Sequence, residues 1–324
     1  MIPRSRRYAI GGAGLAVVLA AGLAFWSFRP STVDGRGAGR GQSSSDAPGG
    51  TAWVPPGGSP SASVSASASA PGPVAGSAVP AGSWWRPRAG LTWQWQLSGP
   101  LDRGVSAEVY DVDAVNTSAE DVAALHAAGR KVICYVDAGS YEPGRPDAGR
   151  FPAAVLGKEL DGWPGERWLD VRRWDVLEPI LAARFDTCRQ KGFDAVEPDN
   201  VDGYQNESGF PLTASDQLVF NKRLADLAHK RGLAVGLKND IDQVAELQPH
   251  FDFAVNEQCH QYRECGGYAR FTGHGKPVFN AEYQHKYVDD PGERAALCED
   301  ARAADLRTLV LPVQLDDRFR YTCD

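Results

Sequence analysis

The sequence predicts a (β/α)8 barrel of the TIM type, preceded by a signal or anchor helix and a disordered linker. Three observations lead to this prediction. Composition changes near residue 83 and leaves about 240 residues of globular character, the usual size of such a barrel. This part contains eight short apolar runs that are typical of strands. Between several of them the chain repeats an order of helix, glycine, buried strand and polar loop, which indicates a parallel sheet.

Two segments precede the predicted barrel. Residues 1–28 combine Arg4, Arg6 and Arg7 with an uncharged apolar stretch of roughly 20 residues, a length that also suffices to span a bilayer. We therefore expect either an export signal or a membrane anchor. Residues 29–82 are rich in Gly, Ser, Ala and Pro, and they cannot bury enough apolar surface to fold, so we expect a disordered linker. Both alternatives place residues 83–324, the predicted barrel domain, outside the cytoplasm, either secreted or tethered to the cell surface.

The predicted strands and helices follow from local patterns. The strands span residues 92–97, 107–112, 131–136, 194–197, 234–237, 253–256, 277–280 and 308–312. Capping-box patterns at 117–120 and 213–216 predict helix starts, and Gly129, Gly192 and Gly232 stand where helices should end. No Gly-x-Gly-x-x-Gly follows the first strand, which argues against a dinucleotide-binding sheet.

The first strand alternates tryptophan with glutamine. Trp93 and Trp95 therefore lie on one face, and Gln94 and Gln96 lie on the other. Large aromatic side chains dominate core energetics, so we expect both indoles to pack between the barrel and its helices rather than against a sugar.

The globular part is acidic. Residues 83–324 contain 28 Lys and Arg against 39 Asp and Glu, a net charge of −11. Such a surface repels nucleic acid and suits a cationic or neutral ligand.

All six cysteines lie in the globular part, and an even number in an exported domain indicates disulfides. The sequence does not choose among the pairings. Short separations favour Cys259–Cys265, then Cys298–Cys323, which leaves Cys134–Cys188. A zinc site is the alternative, but no Cys-x-x-Cys is present and only His260 adjoins a cysteine. We predict disulfides, with no metal and no other cofactor.

The ends of the predicted strands carry the candidate site. In a barrel these ends meet on one face, where the active sites of such proteins lie. Asp199 and Glu257 follow nonadjacent strands, so they can face each other across a bound sugar, as two-carboxylate glycoside hydrolysis requires. Each candidate could also be a cap or turn residue, because those positions favour the same residue types, and Glu282 could simply pair with Lys286. The predicted substrate-binding and supporting residues are Asp111, Tyr135, Asp137, Glu197, Asn200, Asp202, Lys238 and Glu282.

Five motifs in order give the globular part a resemblance to a known family. They are Trp93-Gln-Trp-Gln-Leu97, Val109-Tyr-Asp-Val-Asp113, Cys134-Tyr-Val-Asp-Ala-Gly-Ser-Tyr-Glu142, Glu197-Pro-Asp-Asn-Val-Asp-Gly-Tyr204 and Asn256-Glu-Gln-Cys259. Residues 84–324 thereby resemble glycoside hydrolase family 114, the endo-α-1,4-polygalactosaminidases. The resemblance implies a (β/α)8 barrel that cleaves α-1,4 bonds in galactosamine-containing polysaccharide, with an acidic pair that falls on Asp199 and Glu257. A polymer with free amines is cationic, which suits the acidic surface.

Several alternatives stay open. A noncatalytic polysaccharide-binding barrel at the cell surface would need aromatic and polar groups but no convergent carboxylates. A metal-dependent hydrolase is disfavoured, because His260, His274 and His285 lack metal-ligand spacing. We predict Asp199 as nucleophile or base and Glu257 as acid, and we leave the stereochemistry, the acetylation of the substrate and endo or exo action undecided. The expected protein is a monomer whose partner is an amino-sugar polysaccharide, and it meets a membrane only through an N-terminal anchor.

Overall fold

The structure is a computed structural model that describes residues 83–324, so the predicted export segment and linker lie outside the described residues. Eight parallel strands curl into a TIM-type barrel, in agreement with the sequence prediction. In the sheet the order is β1-β2-β3-β7-β8-β9-β10-β11, and β12 joins β11 in antiparallel fashion. The strands are β1 (Trp93–Gln96), β2 (Val109–Asp113), β3 (Lys131–Asp137), β4 (Ser140–Tyr141), β5 (Leu156–Leu160), β6 (Trp163–Leu169), β7 (Ala195–Asp199), β8 (Ala234–Lys238), β9 (Phe253–Glu257), β10 (Val278–Glu282), β11 (Leu306–Val310) and β12 (Tyr321–Thr322).

Helices cover the outside of the barrel. The helix that precedes β3 starts at a capping box formed by Ser118 and Asp121, one residue later than predicted, and the Thr213–Asp216 box is confirmed. Gly192 ends the longest helix in the left-handed conformation, with φ of 94°. The α-helices of the described part are α1 (Ala119–Ala127), α2 (Trp174–Lys191), α3 (Ala214–His229), α4 (Val244–Leu247), α5 (Cys259–Tyr262), α6 (Ala269–Thr272), α7 (His285–Asp289) and α8 (Pro291–Ala303).

The two tryptophans of β1 lie inside the barrel, so their predicted position between barrel and helices is wrong. Trp93 stacks on Trp95 and on Phe279, with ring centroids 5.6 and 5.0 Å apart. The reason is that no α-helix connects β1 to β2, so the outward side of β1 meets loops instead. The outward amides of Gln94 and Gln96 accordingly donate to the Asp317 carboxylate and the Pro100 carbonyl, at 2.9 and 2.8 Å.

A three-stranded antiparallel sheet is inserted between β3 and α2, and the sequence analysis did not predict it. Its order is β4-β6-β5, and we call it the inserted sheet. Arg145 fastens it to the barrel, since its guanidinium contacts both Glu142 and Asp113 at 2.6 Å. The inserted sheet therefore sits beside the C-terminal ends of β2 and β3.

The predicted disulfides are confirmed. Cys134 pairs with Cys188, Cys259 with Cys265, and Cys298 with Cys323, so no cysteine of the described chain is free. Three disulfides fit a protein that works outside the reducing cytoplasm. Within residues 83–324, no helix has the length and apolar character needed to cross a bilayer.

The opposite end of the barrel is closed by the start of the described chain. Trp84 and Arg86 both donate to the Asp252 carboxylate, at 3.1 and 2.8 Å, and His229 lies 2.8 Å from its other oxygen. Trp85 packs against Phe253 at the first position of β9. The residues that follow the predicted linker thus cover the N-terminal ends of the strands, away from the candidate site.

Candidate active site

Strand alternation builds the candidate site, because every second residue of a barrel strand points inward. Near the N-terminal ends the inward side chains are apolar, and we call them the lower layer. Towards the C-terminal ends the same alternation brings polar side chains inward, and we call them the upper layer. The lower layer contains Trp93, Val109, Ile133, Ala195, Ala234, Phe253 and Phe279. The upper layer contains Asp111, Tyr135, Glu197, Asp199, Lys238, Glu257 and Tyr283.

Lys238 joins the two predicted catalytic carboxylates. Its Nζ lies 2.8 Å from Asp199 Oδ1 and 2.9 Å from Glu257 Oε2. These two oxygens are therefore no farther apart than the sum of the two distances. The Lys238 side chain is only 3% exposed, whereas Asp199 and Glu257 are 15% and 24% exposed. The ammonium thus forms the floor of a cleft, and both carboxylates reach its surface.

Each carboxylate also accepts a hydrogen bond from a tyrosine. The Tyr135 hydroxyl donates to Asp199 Oδ2 at 2.8 Å, and the Tyr283 hydroxyl donates to Glu257 Oε1 at 2.5 Å. The backbone N–H of Asn200 donates to Asp199 Oδ1 at 2.7 Å. Asp199 is consequently held by three donors, a larger set than the two that hold Glu257.

The electrostatics of this arrangement favour ionised Asp199 and cationic Lys238. Burial by itself would raise the pKa of Asp199, but the Lys238 charge and the hydrogen bonds from Lys238, Tyr135 and Asn200 lower it below its usual value. Burial likewise opposes a charged Lys238, yet the carboxylates of Asp199, Glu257 and Glu197 raise the pKa of its ammonium well above the ordinary range. Both groups therefore carry their charges at neutral pH.

Asp111 and Glu197 lie beneath this floor. Neither carboxyl has exposed surface, so the direct substrate contact that the sequence suggested for them is not supported by their position. Burial raises the pKa of Asp111 to about 7, and burial together with the Asp111 charge raises the pKa of Glu197 well above its usual value. None of the four carboxyl oxygens has a hydrogen-bond partner within residues 83–324. The Lys238 charge lowers the pKa of both, so the two carboxyls are electrostatically coupled to the floor of the cleft.

Three further candidates hold the loops around Asp199. The carboxylate of Asp137 accepts hydrogen bonds from the backbone and hydroxyl of Ser140, so it caps the turn into β4. Asn200 adopts φ of 59° and reaches the Ser140 hydroxyl at 3.3 Å. Gly139 permits this close approach, because a Cβ there would meet the Asn200 carbonyl oxygen at 1.7 Å. Asp202 is buried, and its charge helps raise the pKa of Asp240, after burial itself, to about 8.

Glu282 does not line the cleft, which corrects its predicted role in substrate binding. On β10 the inward residues are Phe279 and Ala281, so Glu282 points outward and is fully buried. Its carboxylate accepts the His260 N–H at 2.9 Å and thereby holds the start of α5. Lys286 contacts Glu293 instead, at 3.2 Å.

Sequence reasoning missed two groups that the structure brings to the cleft. Tyr283 was not among the predicted site residues, although it directly follows β10 and continues the alternation of the inward residues Phe279 and Ala281. Glu166 lies on β6 of the inserted sheet and is half-buried. Burial, with the charges of Asp137, Glu142 and Asp199, raises the pKa of Glu166 to about 8. The Asp161-Gly162 dipeptide, a hairpin signal, could have indicated this sheet.

One cluster of potential metal ligands was found in residues 83–324, and it does not fit a metal. Cys259, His260 and Cys265 have ligand atoms within 4.8 Å of one another. Both sulfurs are used in the disulfide between Cys259 and Cys265, so they cannot act as thiolate ligands.

Comparison with known proteins identifies the family to which this chain belongs. The chain shares 40% identity and a TM-score of 0.69 with the crystal structure of Aspergillus fumigatus Ega3 in complex with galactosamine, over 74% of this chain and 97% of that one. The glycoside hydrolase domain of PelA from Pseudomonas aeruginosa has the same fold at 14% identity, with a TM-score of 0.56 over 70% and 96% of the two chains. An uncharacterized protein of Deinococcus radiodurans is 29% identical over 236 residues, which are 65% of this chain and 73% of that protein. Residues 75–324 match glycoside-hydrolase family GH114, so the chain belongs to this family and is a glycoside hydrolase.

Proposed function

We propose that this enzyme cleaves α-1,4 bonds in a galactosamine-containing polysaccharide, with Asp199 as nucleophile and Glu257 as general acid and base. The proposal depends on one observation, which is that the carboxylates of Asp199 and Glu257 both form an ion pair with the Lys238 ammonium in the cleft. The substrate class is supported by the similarity to Ega3, a structure solved with galactosamine, and by the net charge of −11 in residues 83–324. A polymer with free amines is attracted by such a charge.

The division of roles follows from the donors around each carboxylate. Asp199 accepts three hydrogen bonds, which lower its pKa and keep it ionised, as a nucleophile must be. Glu257 accepts one, from Tyr283, beside its ion pair with Lys238, and its greater exposure suits a group that must reach the departing sugar oxygen and then a water molecule. Lys238 and the two tyrosines keep both carboxylates in place.

The spacing favours a retaining reaction. The Lys238 bridge holds Asp199 Oδ1 and Glu257 Oε2 closer together than the roughly 6.5–9.5 Å that inverting enzymes leave for a water. In the first step an Asp199 oxygen bonds to the anomeric carbon, the glycosidic carbon–oxygen bond breaks, and the protonated form of Glu257 gives its proton to the leaving oxygen. In the second step Glu257 takes a proton from water, the water oxygen bonds to the anomeric carbon, and the bond to Asp199 breaks. The product keeps the α configuration.

Export is part of the proposal. The three disulfides of the described chain and the apolar N-terminal segment of the sequence both support work outside the cytoplasm. An extracellular polymer is also accessible only to an exported or surface-tethered enzyme.

The test is incubation of the full chain with partly deacetylated polymer of α-1,4-linked galactosamine, followed by mass analysis and NMR of the products. We expect oligosaccharides of several sizes whose new reducing ends appear first as the α anomer. Glu257→Gln is the matched control, because it keeps the side-chain shape and removes the acid. Saturable binding without new reducing ends would contradict hydrolysis and favour the binding-barrel alternative, and an initial β anomer would contradict retention.

A further inference from the structure

The carboxyls of Asp111 and Glu197 form a buried pair that the reaction scheme above does not use. Both side chains are completely inaccessible to solvent. Within residues 83–324, none of their four oxygens accepts a hydrogen bond from a donor outside the pair. The two carboxyls act on the pKa of each other, and a buried pair that no donor contacts is accommodated only if one of its members carries a proton. Two buried like charges in contact would also be strongly unfavourable.

The surroundings of the pair connect it to the floor of the cleft. Asp111 lies on β2 beside Trp95, and Glu197 lies on β7 beside Tyr135. The charged groups that face the pair are Lys238 from β8 and Asp199 from β7. The Lys238 ammonium stands 5.3 Å from the centre of the Trp95 ring, so it lies above the same layer. Its charge is therefore attracted both upward, to Asp199 and Glu257, and downward, to the pair.

We propose that Asp111 and Glu197 share one proton at neutral pH and act as positioning residues for Lys238. With the shared proton the pair carries one negative charge, and Lys238 stays between Asp199 and Glu257. Without it the pair carries two, and the ammonium is drawn away from the catalytic carboxylates. The proposal rests on the proposed function in one respect, which is that Asp199 and Glu257 are the reacting groups.

The direction of the pH effect follows from this geometry. Burial raises the pKa of Asp111 to about 7, and burial together with the Asp111 charge raises the pKa of Glu197 well above its usual value. The pair therefore loses its first proton near neutrality, and the remaining shared proton leaves at alkaline pH. Because the pair titrates as a unit, one alkaline fall in kcat belongs to both residues. Activity should therefore be retained from pH 6 through neutrality and should decrease at alkaline pH, where the pair loses its last proton.

The experiment compares the pH profile of kcat for the full-length wild type and for Asp111→Asn. An asparagine keeps the shape and donates an N–H to Glu197, so it imitates the protonated carboxyl at every pH. We expect the variant to remain active at pH 6 and to extend its alkaline limb by about one pH unit or more. Glu282→Gln is the matched control, since it removes another buried carboxyl whose pKa burial raises to about 7 but which points away from Lys238. It should leave the alkaline limb in place.

A second variant and a second readout keep the test independent of folding and of the substrate. Glu197→Gln should extend the alkaline limb in the same direction.

The second readout is stability. A buried acid with a raised pKa holds its proton in the folded state and loses it on unfolding, so stability decreases from about pH 4 to about pH 7. Asp111→Asn should make that decrease of Tm smaller. An unchanged alkaline limb in both amide variants overturns the positioning role, and an unchanged pH slope of Tm overturns the shared proton. A wild type that cleaves no amino-sugar polymer contradicts the proposed function instead, while the Tm series still decides the proton.

Discussion

The lower and upper layers of the barrel interior are built by the same strands, yet they have opposite properties. In the lower layer the inward side chains are apolar and fully buried, and Phe253 and Phe279 pack edge to face with centroids 5.9 Å apart. In the upper layer, two to four residues further along the chain, the inward side chains are charged or phenolic. Phe253 and Glu257 stand on one strand, β9, four residues apart. A strand can thus supply stability at one end and chemistry at the other.

The transition between the layers is abrupt on β8. Gly236 separates Ala234 below from Lys238 above, and a Cβ at Gly236 would approach the Phe253 ring to 2.4 Å. The absence of a side chain lets the Phe253 ring fill the space directly beneath the polar groups. Each layer can therefore be perturbed separately, and the following predictions compare the results.

The largest expected effect is on activity and comes from the upper layer. Asp199→Asn removes the proposed nucleophile, and kcat should fall by about 10³-fold or more. The Tm should decrease only modestly, because the amide keeps the shape and the Lys238 ammonium, although it loses the ion pair with Asp199, still pairs with Glu257. Single-turnover assays and thermal unfolding of the same preparation measure both quantities. Substantial activity in this variant would contradict the assignment of Asp199.

The second prediction reverses the pattern in the lower layer. Phe253 is fully buried against Trp85, Phe279 and the backbone at Gly236. Phe253→Ala should lower the free energy of unfolding by about 3–5 kcal/mol through lost burial and the cavity that remains. The kcat at a temperature well below Tm should stay close to wild type. Denaturant unfolding tests the first value, and a large loss of kcat in the folded enzyme would show that the layers are coupled.

The same layering explains how much of the site the sequence could predict. The eight strands and the Asp199 and Glu257 candidates follow from local patterns and the convergence of strand ends. On β10 the inward residues are Phe279 and Ala281, and the next residue in this alternation is Tyr283, just past the end of the strand. The alternation alone would therefore have selected Tyr283 for the cleft and excluded Glu282. Whether Trp93 and Trp95 point inward was not, because it depends on the absence of a helix outside β1.

The inserted sheet shows a different limit. Its strands β5 and β6 include Gly157, Pro164 and Gly165 and lack a continuous apolar face. The position of Glu166 is set by the pairing of β6 with β4, in which Ser140 faces Trp168 and Tyr141 faces Arg167. That register joins segments far apart in the chain, and local propensity contains no information about it.

The third prediction concerns the cation between the carboxylates. Lys238→Met removes the charge and keeps much of the side-chain volume. Lys238 is a main reason why the pKa of Asp199 lies below its usual value, so without it burial should raise that pKa. The acidic limb of kcat/KM should move to higher pH by about 1–3 units. Lys238→Arg is the matched control, because it retains a cation, and an unmoved acidic limb in the methionine variant would contradict the role of Lys238.

The smallest expected effect comes from the inserted sheet, which extends the upper layer beyond the barrel. By the register of β4 and β6, Glu166 lies on the same side as Trp168, which packs against Gly203 near the end of β7. The structure provides no ion pair or hydrogen bond to the Glu166 carboxylate within residues 83–324, so it is available to a cationic sugar. At pH 8 and above, where this carboxyl is ionised, Glu166→Gln should raise KM for the amino-sugar polymer several-fold and leave kcat unchanged, and at pH 6 the increase in KM should be smaller.

The control for Glu166 is Glu159→Gln on the same inserted sheet. Glu159 is exposed and pairs in register with Arg167, so it lies on the face of the inserted sheet opposite to Glu166. Glu159→Gln therefore removes the same kind of charge from a side chain that does not contact the cleft. Its KM should remain near wild type. Added salt should weaken substrate binding by the wild type more than by Glu166→Gln, because screening removes the attraction that the variant already lacks. Equal KM changes in the two variants would mean that only net charge matters, and a fall in kcat for Glu166→Gln would instead place this carboxyl among the groups that act on the reacting bond.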